Sequence, residues 1–281
     1  MYLENFDISG VQEVEKDILK ELLDVCKENN LRIYAEGGTL IGAVRDQHFI
    51  SYDDDIDMAM LRPDYDRFME IGPSCFSEPY FFQSAYTDTD YVRPHIQIRR
   101  SDTCGAREDE LSSVKFNQGI FIDVFPYDGV PDDNLSGRIH WMRIQFMKKI
   151  MAILYNPVSN NAVKKVIKKC CSPLRTILTS ERCYKHFDKL CKKYSDTSDT
   201  VTLLSFNKSY RQRLLKREWF DNIEYHDFDE MSLPCPSGYD GILTAKYGDW
   251  RTPLNSGTDH GNMIFDVNKS YKELINQGEA K

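Results

Sequence analysis

The sequence predicts an α/β (α+β) fold. Short apolar strands alternate with amphipathic helices, one strand carries a carboxylate at its centre, and a strongly basic helical stretch interrupts the series. Ser9-Gly-Val-Gln12 has the form of a capping box, and Val11, Val14, Ile18, Leu22 and Val25 follow at helical spacing, so a helix is expected to about Asn29. Leu31 to Ala35 reads as a short strand ending at Gly37-Gly38, and Thr39 to Val44 starts a helix. Asp55 to Met60 is the next strand, and Pro63 suits the first turn of a helix running to about Ile71. Tyr80–Gln83 and His95–Arg99 are further strands, the second with Ile96 and Ile98 toward the core and His95, Gln97 and Arg99 opposite. Gly119 to Pro126 is a strongly apolar strand centred on Asp123. Leu135–Tyr155 and Ala162–Tyr194 read as basic helical segments separated by Asn156-Pro157. Past Val201 the chain is mixed, with a helix over Tyr239–Tyr247 and a turn at Tyr247-Gly248-Asp249-Trp250. Three parts follow: a catalytic core over 1–130, a basic helical segment over 131–200, and a C-terminal part over 201–281 that completes the same unit.

At 41% hydrophobic and 28% charged residues the chain has the composition of a globular protein with a sizeable core, not of a disordered one. Its acidic start lacks the basic and apolar regions of a signal peptide, and no apolar run reaches the roughly 18 residues of a membrane span. The eight cysteines have no compact disulfide spacing and are expected as reduced thiols. Zinc at Cys170, Cys171, Cys183 and Cys191 is conceivable, but the spacing matches no familiar ligand pair and buried thiols are the better reading. A cytoplasmic protein is expected, with no nucleic-acid partner.

The net charge of −8 is unevenly spread. Ser136 to Tyr194 holds 14 Lys/Arg against two acids, Glu181 and Asp188, so the remaining chain is strongly acidic. This asymmetry fits a peripheral contact with an anionic surface; a solvated helical face is the plainer alternative.

The chemistry concentrates between Tyr34 and Met60. Four carboxylates, Asp53, Asp54, Asp55 and Asp57, fall within five residues and are flanked by apolar positions. Like charges so close repel unless solvent, protonation or a cation relieves them. On a strand Asp55 and Asp57 share a face about 7 Å apart, suited to one or two Mg²⁺ ions. Asp53 and Asp54 lie in the approach loop, each able to stand behind the metal ligands or to cap the loop, with the cap the better reading for Asp54. Asp123 in its apolar strand is costly unless paired, and the two earlier acids supply a reason for it. Together the three are expected to form a metal-dependent phosphoryl-transfer site. Backbone N–H groups near Gly38 and Thr39 are placed to hold a phosphate, unless the glycine pair only makes a tight turn. Arg99 and Arg100 are phosphate contacts or ordinary exposed arginines. Trp219, Tyr247 and Trp250 are core residues or a cage for a quaternary ammonium group.

Gly38-Thr-Leu-Ile-Gly-Ala-Val-Arg45, Phe49-Ile50, Asp53-Asp-Asp-Ile-Asp57, Gly119-Ile-Phe-Ile-Asp-Val-Phe-Pro126 and Tyr247-Gly-Asp-Trp250 together resemble the LicD family of phosphotransferases, whose pattern also appears in fukutin and the fukutin-related protein. The resemblance implies a nucleotidyltransferase, polymerase-β-like mixed sheet with a basic helical insert. It implies that Gly37, Gly38 and Thr39 hold the donor pyrophosphate and that Asp55 and Asp57 bind Mg²⁺ or Mn²⁺. Asp123 would be the third acid, as metal ligand or as base for the acceptor hydroxyl. Arg45 would contact phosphate or brace the loop. Ser51-Tyr52 departs from the Pro-Trp usual before the acids, and no cysteine set matches the zinc site of the fukutin-related proteins.

The activity implied is transfer of a phospho-alcohol, most often phosphocholine from CDP-choline, to a hydroxyl of a cell-surface glycan such as lipopolysaccharide or teichoic acid, or of its lipid-linked precursor, with release of CMP. An Asp-x-Asp glycosyltransferase using a nucleotide sugar and a non-catalytic metal-binding scaffold are the alternatives.

Overall fold

A computed structural model of the chain describes residues 8–50, 53, 55–89, 91–131, 133–155, 166, 169–206, 214–253 and 262–279. Helix α1 (Ser9–Glu28) buries Val11, Val14, Ile18, Leu22 and Val25, as their spacing requires. The helix is capped at Ile8 with no side-chain hydrogen bond, so the expected capping box does not form. Gln12 instead donates from Nε2 to the Asp53 carbonyl at 3.0 Å, tying α1 to the acidic loop.

The core is a mixed sheet in the order β1 (Tyr34–Ala35), β2 (Asp57–Leu61), β6 (Ile120–Gly129), β4 (Ile96–Arg100) and β3 (Tyr80–Gln83). Strands β7 (Thr200–Thr202) and β8 (Leu215–Lys216) add to the far end of β6. Among the described residues of this sheet only β2 and β6 run parallel; the other pairs are antiparallel. The return needed for that parallel pair is made by α3 (Arg62–Cys75), with Pro63 in its first turn, and by β3, β4 and β5 (Cys104–Arg107). The expected strand at Leu31–Ala35 is shorter, because only Tyr34 and Ala35 find partners, on Ala59 and Met58. The second strand starts at Asp57, so Asp55 lies just before it.

Alternation along the strands separates two layers. Ile120, Ile122 and Val124 of β6 and Ile96 and Ile98 of β4 enter the apolar core, on the side where Asp17 of α1 pairs with Arg100. Phe121, Asp123 and Phe125, with Gln97 and Arg99, take the other face.

Several elements escape sequence patterning. Strand β9 (Ile223–Phe228) pairs with β10 (Met231–Pro236), although β10 contains Pro234 and Pro236. A two-stranded ribbon leaves an edge where a missing N–H does no harm. Strand β5 pairs with β11 (Met263–Asp266) across a long sequence separation. The remaining helices are α4 (Asn134–Tyr155), α5 (Ser180–Cys191), α6 (Tyr239–Tyr247) and α7 (Tyr271–Glu279). Cys183 and Cys191 lie in an apolar cluster with Ile144, Met151, Leu154 and Phe187, whereas Cys170 is exposed. Among the described residues no helix is long and apolar enough to cross a membrane. Asn156-Pro157, Ser51-Tyr52 and Asp54 lie outside the described residues.

Arg62 ties the helical layer to the sheet. It is buried, with Nη2 2.6 Å from the fully buried Asp128 and Nη1 2.9 Å from Asp188 of α5. Burial opposes its charge, but Asp128, Asp188 and Asp66 outweigh that and hold the guanidinium above its ordinary range. Burial pushes the Asp128 carboxyl up to about 6, with Arg62 opposing the shift. Removing one partner of such a pair strands the other charge away from water. Arg62→Leu should therefore cost about 3–5 kcal/mol in urea denaturation, and Asp188→Asn, whose partner keeps Asp128, clearly less.

Candidate active site

Register brings the acids together. In the parallel β2–β6 pair Asp57 stands opposite Asp123, and in the antiparallel β6–β4 pair Asp123 stands opposite Gln97. The three side chains form a row across neighbouring strands on the face away from α1. Asp55 enters from the approach loop. Asp55 and Asp123 both line a cavity of about 320 Å³ whose walls also include His95, Arg93, Arg107 and Phe116.

The two paired carboxylates differ in their surroundings. Burial pushes Asp57 well above the ordinary carboxylate range, and the charges of Asp55, Asp123 and Asp53 push the same way. For Asp123 burial also pushes upward, but His95, the Gln97 hydrogen bond and Arg93 prevail and hold it below the ordinary range. Gln97 Nε2 donates to Asp123 Oδ1 at 2.6 Å, and His95 Nε2 lies 3.3 Å from the same oxygen. One carboxylate is kept ionised by donors, while burial and the neighbouring acids favour the protonated form of the other.

The glycine pair lies against these acids. Gly37 has φ +57°, and a Cβ there would come 3.1 Å from Asp57 Oδ2 and 3.7 Å from Tyr247 Oη. A Cβ on Gly38 would lie 2.5 Å from Asp53 Oδ2, a clash that excludes any larger residue while the acid stays in place. The expected helix after the glycines begins at once as the short α2 (Gly37–Ile41), followed by a wider turn over Gly42–Asp46. Thr39 is buried, and its Oγ1 accepts from the Asp57 N–H at 2.9 Å, so the hydroxyl ties α2 to the start of β2.

Of the two roles open to Arg45, the structure shows the brace. Its Nε and Nη2 pair with Asp46, and Nη1 donates 3.0 Å to the Trp250 carbonyl. Arg99 is not an ordinary exposed arginine; it lines the carboxylate cavity. It is buried, stacks on the Phe121 ring at 4.4 Å, and donates to Gln83 Oε1, Gln97 Oε1 and the Gly119 carbonyl. It therefore orients Gln97, which orients Asp123. Arg100 is partly exposed on the opposite face, paired with Asp17 and Asp102. The three aromatic candidates serve separate contacts: Trp250 is buried against Tyr239, Trp219 lies against Gly238 and Gly241, and Tyr247 reaches Gly37.

Sequence reasoning missed a buried charged group behind the glycine turn. Glu36, one residue before Gly37, accepts from Tyr127 Oη at 2.5 Å and from Lys246 Nζ, which also lies 2.6 Å from Tyr127 Oη. The Glu36 N–H donates to the Asp57 carbonyl at 2.9 Å. Burial pulls the Lys246 ammonium down to about 7, and the adjoining carboxylate opposes that pull. The available signal was position: a charged residue next to each of two short motifs. The role of His95 depends on the register of β4 against β6, which no local pattern reveals.

Carboxylate oxygens are the donors that Mg²⁺ and Mn²⁺ prefer, and a divalent cation among these acids would favour the ionised form of Asp57. Among the described residues no three His, Cys, Asp or Glu side chains are already closed into a metal cage. The acids thus fit a divalent cation in kind and in place, with side-chain adjustment as it binds.

Comparison with known proteins places part of the chain beside a known family. Residues 30–160, which contain the glycine turn and all the acids, match the model of the LicD/FKTN/FKRP nucleotidyltransferase domain. Over that stretch the chain is similar to the LicD family. It is 26% identical over 244 residues to the lipopolysaccharide cholinephosphotransferase LicD of Haemophilus influenzae, covering 83% of this chain and 87% of that one. An uncharacterized Rickettsia typhi protein is 38% identical over 56 residues, 20% of this chain and 18% of its own. A Rickettsia prowazekii protein is 31% identical over 86 residues, 30% of each.

If Asp57 is strained by its neighbours, Asp57→Asn should stabilise the EDTA-treated protein by about 1–2 kcal/mol. The same substitution should abolish the rise in Tm that Mg²⁺ gives the wild type; thermal unfolding with and without the ion checks both.

Proposed function

We propose that this LicD-like enzyme transfers a phospho-alcohol, with phosphocholine as first candidate, from a CDP-activated donor to a hydroxyl of a glycan or its lipid-linked precursor, releasing CMP. The observation that carries the reading is the pairing of Asp57 with Asp123 beside Asp55 at the cavity, within a LicD domain. The relative named as a lipopolysaccharide cholinephosphotransferase, alike over most of both chains, supports the choline and the glycan.

Asp55, Asp57 and Asp123 are the carboxylates that would hold Mg²⁺ or Mn²⁺, with Asp53 behind them at Gly38. When bound, the ion neutralises the pyrophosphate and makes the incoming hydroxyl easier to deprotonate. The first-turn N–H groups of α2, at Gly37, Gly38 and Thr39, are candidates for the donor phosphates, since a helix start leaves them without internal partners. The acceptor oxygen bonds to the phosphorus that carries the alcohol, and the bond from that phosphorus to the CMP oxygen breaks. Asp123, lining the cavity and held ionised by Gln97 and His95, is the candidate to receive the hydroxyl proton. Arg99, Gln97 and the Glu36–Lys246–Tyr127 group keep these parts in position.

The test is release of the nucleotide from a donor panel with Mg²⁺ and a glycan acceptor: CDP-choline, CDP-ethanolamine, CDP-ribitol and UDP-glucose. The expected result is Mg²⁺-dependent CMP release from one CDP-alcohol. Asp55→Asn and Asp123→Asn, still folded, should lower kcat by roughly 100-fold or more. UDP release from UDP-glucose alone would replace this reading with a glycosyltransferase.

A further inference from the structure

The outward face of α4 is apolar where a helix covering a domain should be polar. Gly137, His140, Ile144, Met151, Leu154 and Tyr155 make the buried side. Opposite them, at steps of three, four and seven residues, Leu135, Ile139, Met142, Phe146 and Ile153 form an exposed stripe, with Leu135 69% and Phe146 63% accessible. The stripe continues past the helix. Arg175 donates to the Leu154 carbonyl and Tyr155 Oη to that of Leu178, which holds 172–178 at the C-terminal end of α4. There Leu174, Ile177 and Leu178 are also exposed, Ile177 at 65%. An exposed apolar surface of this extent marks an interaction site.

Charge identifies the occupant. Arg138, Arg143 and Lys149 are exposed on α4 beside the stripe, and Arg182, Lys185 and Lys189 on α5. The segment from Ser136 to Tyr194 has 14 Lys/Arg and two acids, and one of those, Asp188, is already held by Arg62 and Lys192. A second copy of the same face would meet it with like charge, which disfavours a symmetric dimer here. An anionic lipid surface supplies both an apolar layer and negative headgroups.

We propose that α4 and the 172–178 segment form an amphipathic docking face for an anionic membrane, lying in the interface without crossing it. The other side of α4 supports a use for such docking. Lys148, Met151 and Tyr155 line a second cavity of about 230 Å³ that shares Arg93, Glu110 and Phe116 with the carboxylate cavity. An acceptor carried on a lipid would thus meet the protein near the acids. That last point rests on the transfer reading; the docking face does not.

The experiment is co-sedimentation of the full chain with vesicles of phosphatidylcholine alone or mixed with phosphatidylglycerol, at low and high salt, without any donor. The expected result is about tenfold greater binding to the mixed vesicles, lost at high salt. An Ile139→Ser/Phe146→Ser variant should lose that binding, and Arg138→Glu/Lys149→Glu should lose the preference for phosphatidylglycerol. All these positions are exposed, so the thermal melt should stay that of the wild type. Absence of vesicle binding by the wild type, or equal binding by the serine variant, overturns the proposal. A wild-type dimer in sedimentation velocity that the serine variant abolishes also overturns it, assigning the face to self-association.

Discussion

The parallel pairing of β2 with β6 is the constraint on which the rest of this structure depends. It sets Asp57 directly beside Asp123, two half-buried carboxylates on one face of a sheet whose other face is apolar. Most of the unusual features answer to that pairing. Gln97 and His95 stabilise one of the charges, Arg99 holds Gln97, and Thr39 fixes the backbone at Asp57. Gly37 and Gly38 leave no room for side chains because the acids occupy it. The strain left at Asp57 is the kind that functional sites retain and that a bound cation relieves.

The Glu36–Lys246–Tyr127 group shows how distant parts of the chain are made to serve one site. Glu36 precedes the glycine turn, Tyr127 lies on the central strand and Lys246 ends α6, so the C-terminal region is fastened to the turn by charge buried away from water. A buried pair of this kind adds little net stability, since desolvation offsets much of the attraction. Its effect is geometric: the turn has one arrangement in which all three groups are satisfied. Arg45, reaching the Trp250 carbonyl, makes a second such tie.

Much of the site was legible because its signals are local. A glycine pair, a hydroxyl and clustered acids fall within one short stretch, and Asp123 stands out as the charge in an apolar strand. The alternation of β4 and β6 was equally plain. What could not be read depends on register and on distant partners. His95 and Gln97 matter because β4 aligns with β6 as it does. The burial of Arg99 could not be read because nothing near it in sequence announces Gln83 and the Gly119 carbonyl. Strand β10 was hidden by its two prolines, and β5 by a partner far along the chain. The capping box at Ser9 does not form because the helix is capped one residue earlier, at Ile8.

The central claim is that these acids are built to receive a divalent cation together with a nucleotide donor. Electron paramagnetic resonance of Mn²⁺ titrated into the protein, with and without CDP-choline, tests it most directly. The account predicts bound Mn²⁺ in the wild type, tightened by the nucleotide and lost in Asp57→Asn. A spectrum of free Mn²⁺ throughout, or binding that survives Asp57→Asn unchanged, would contradict it.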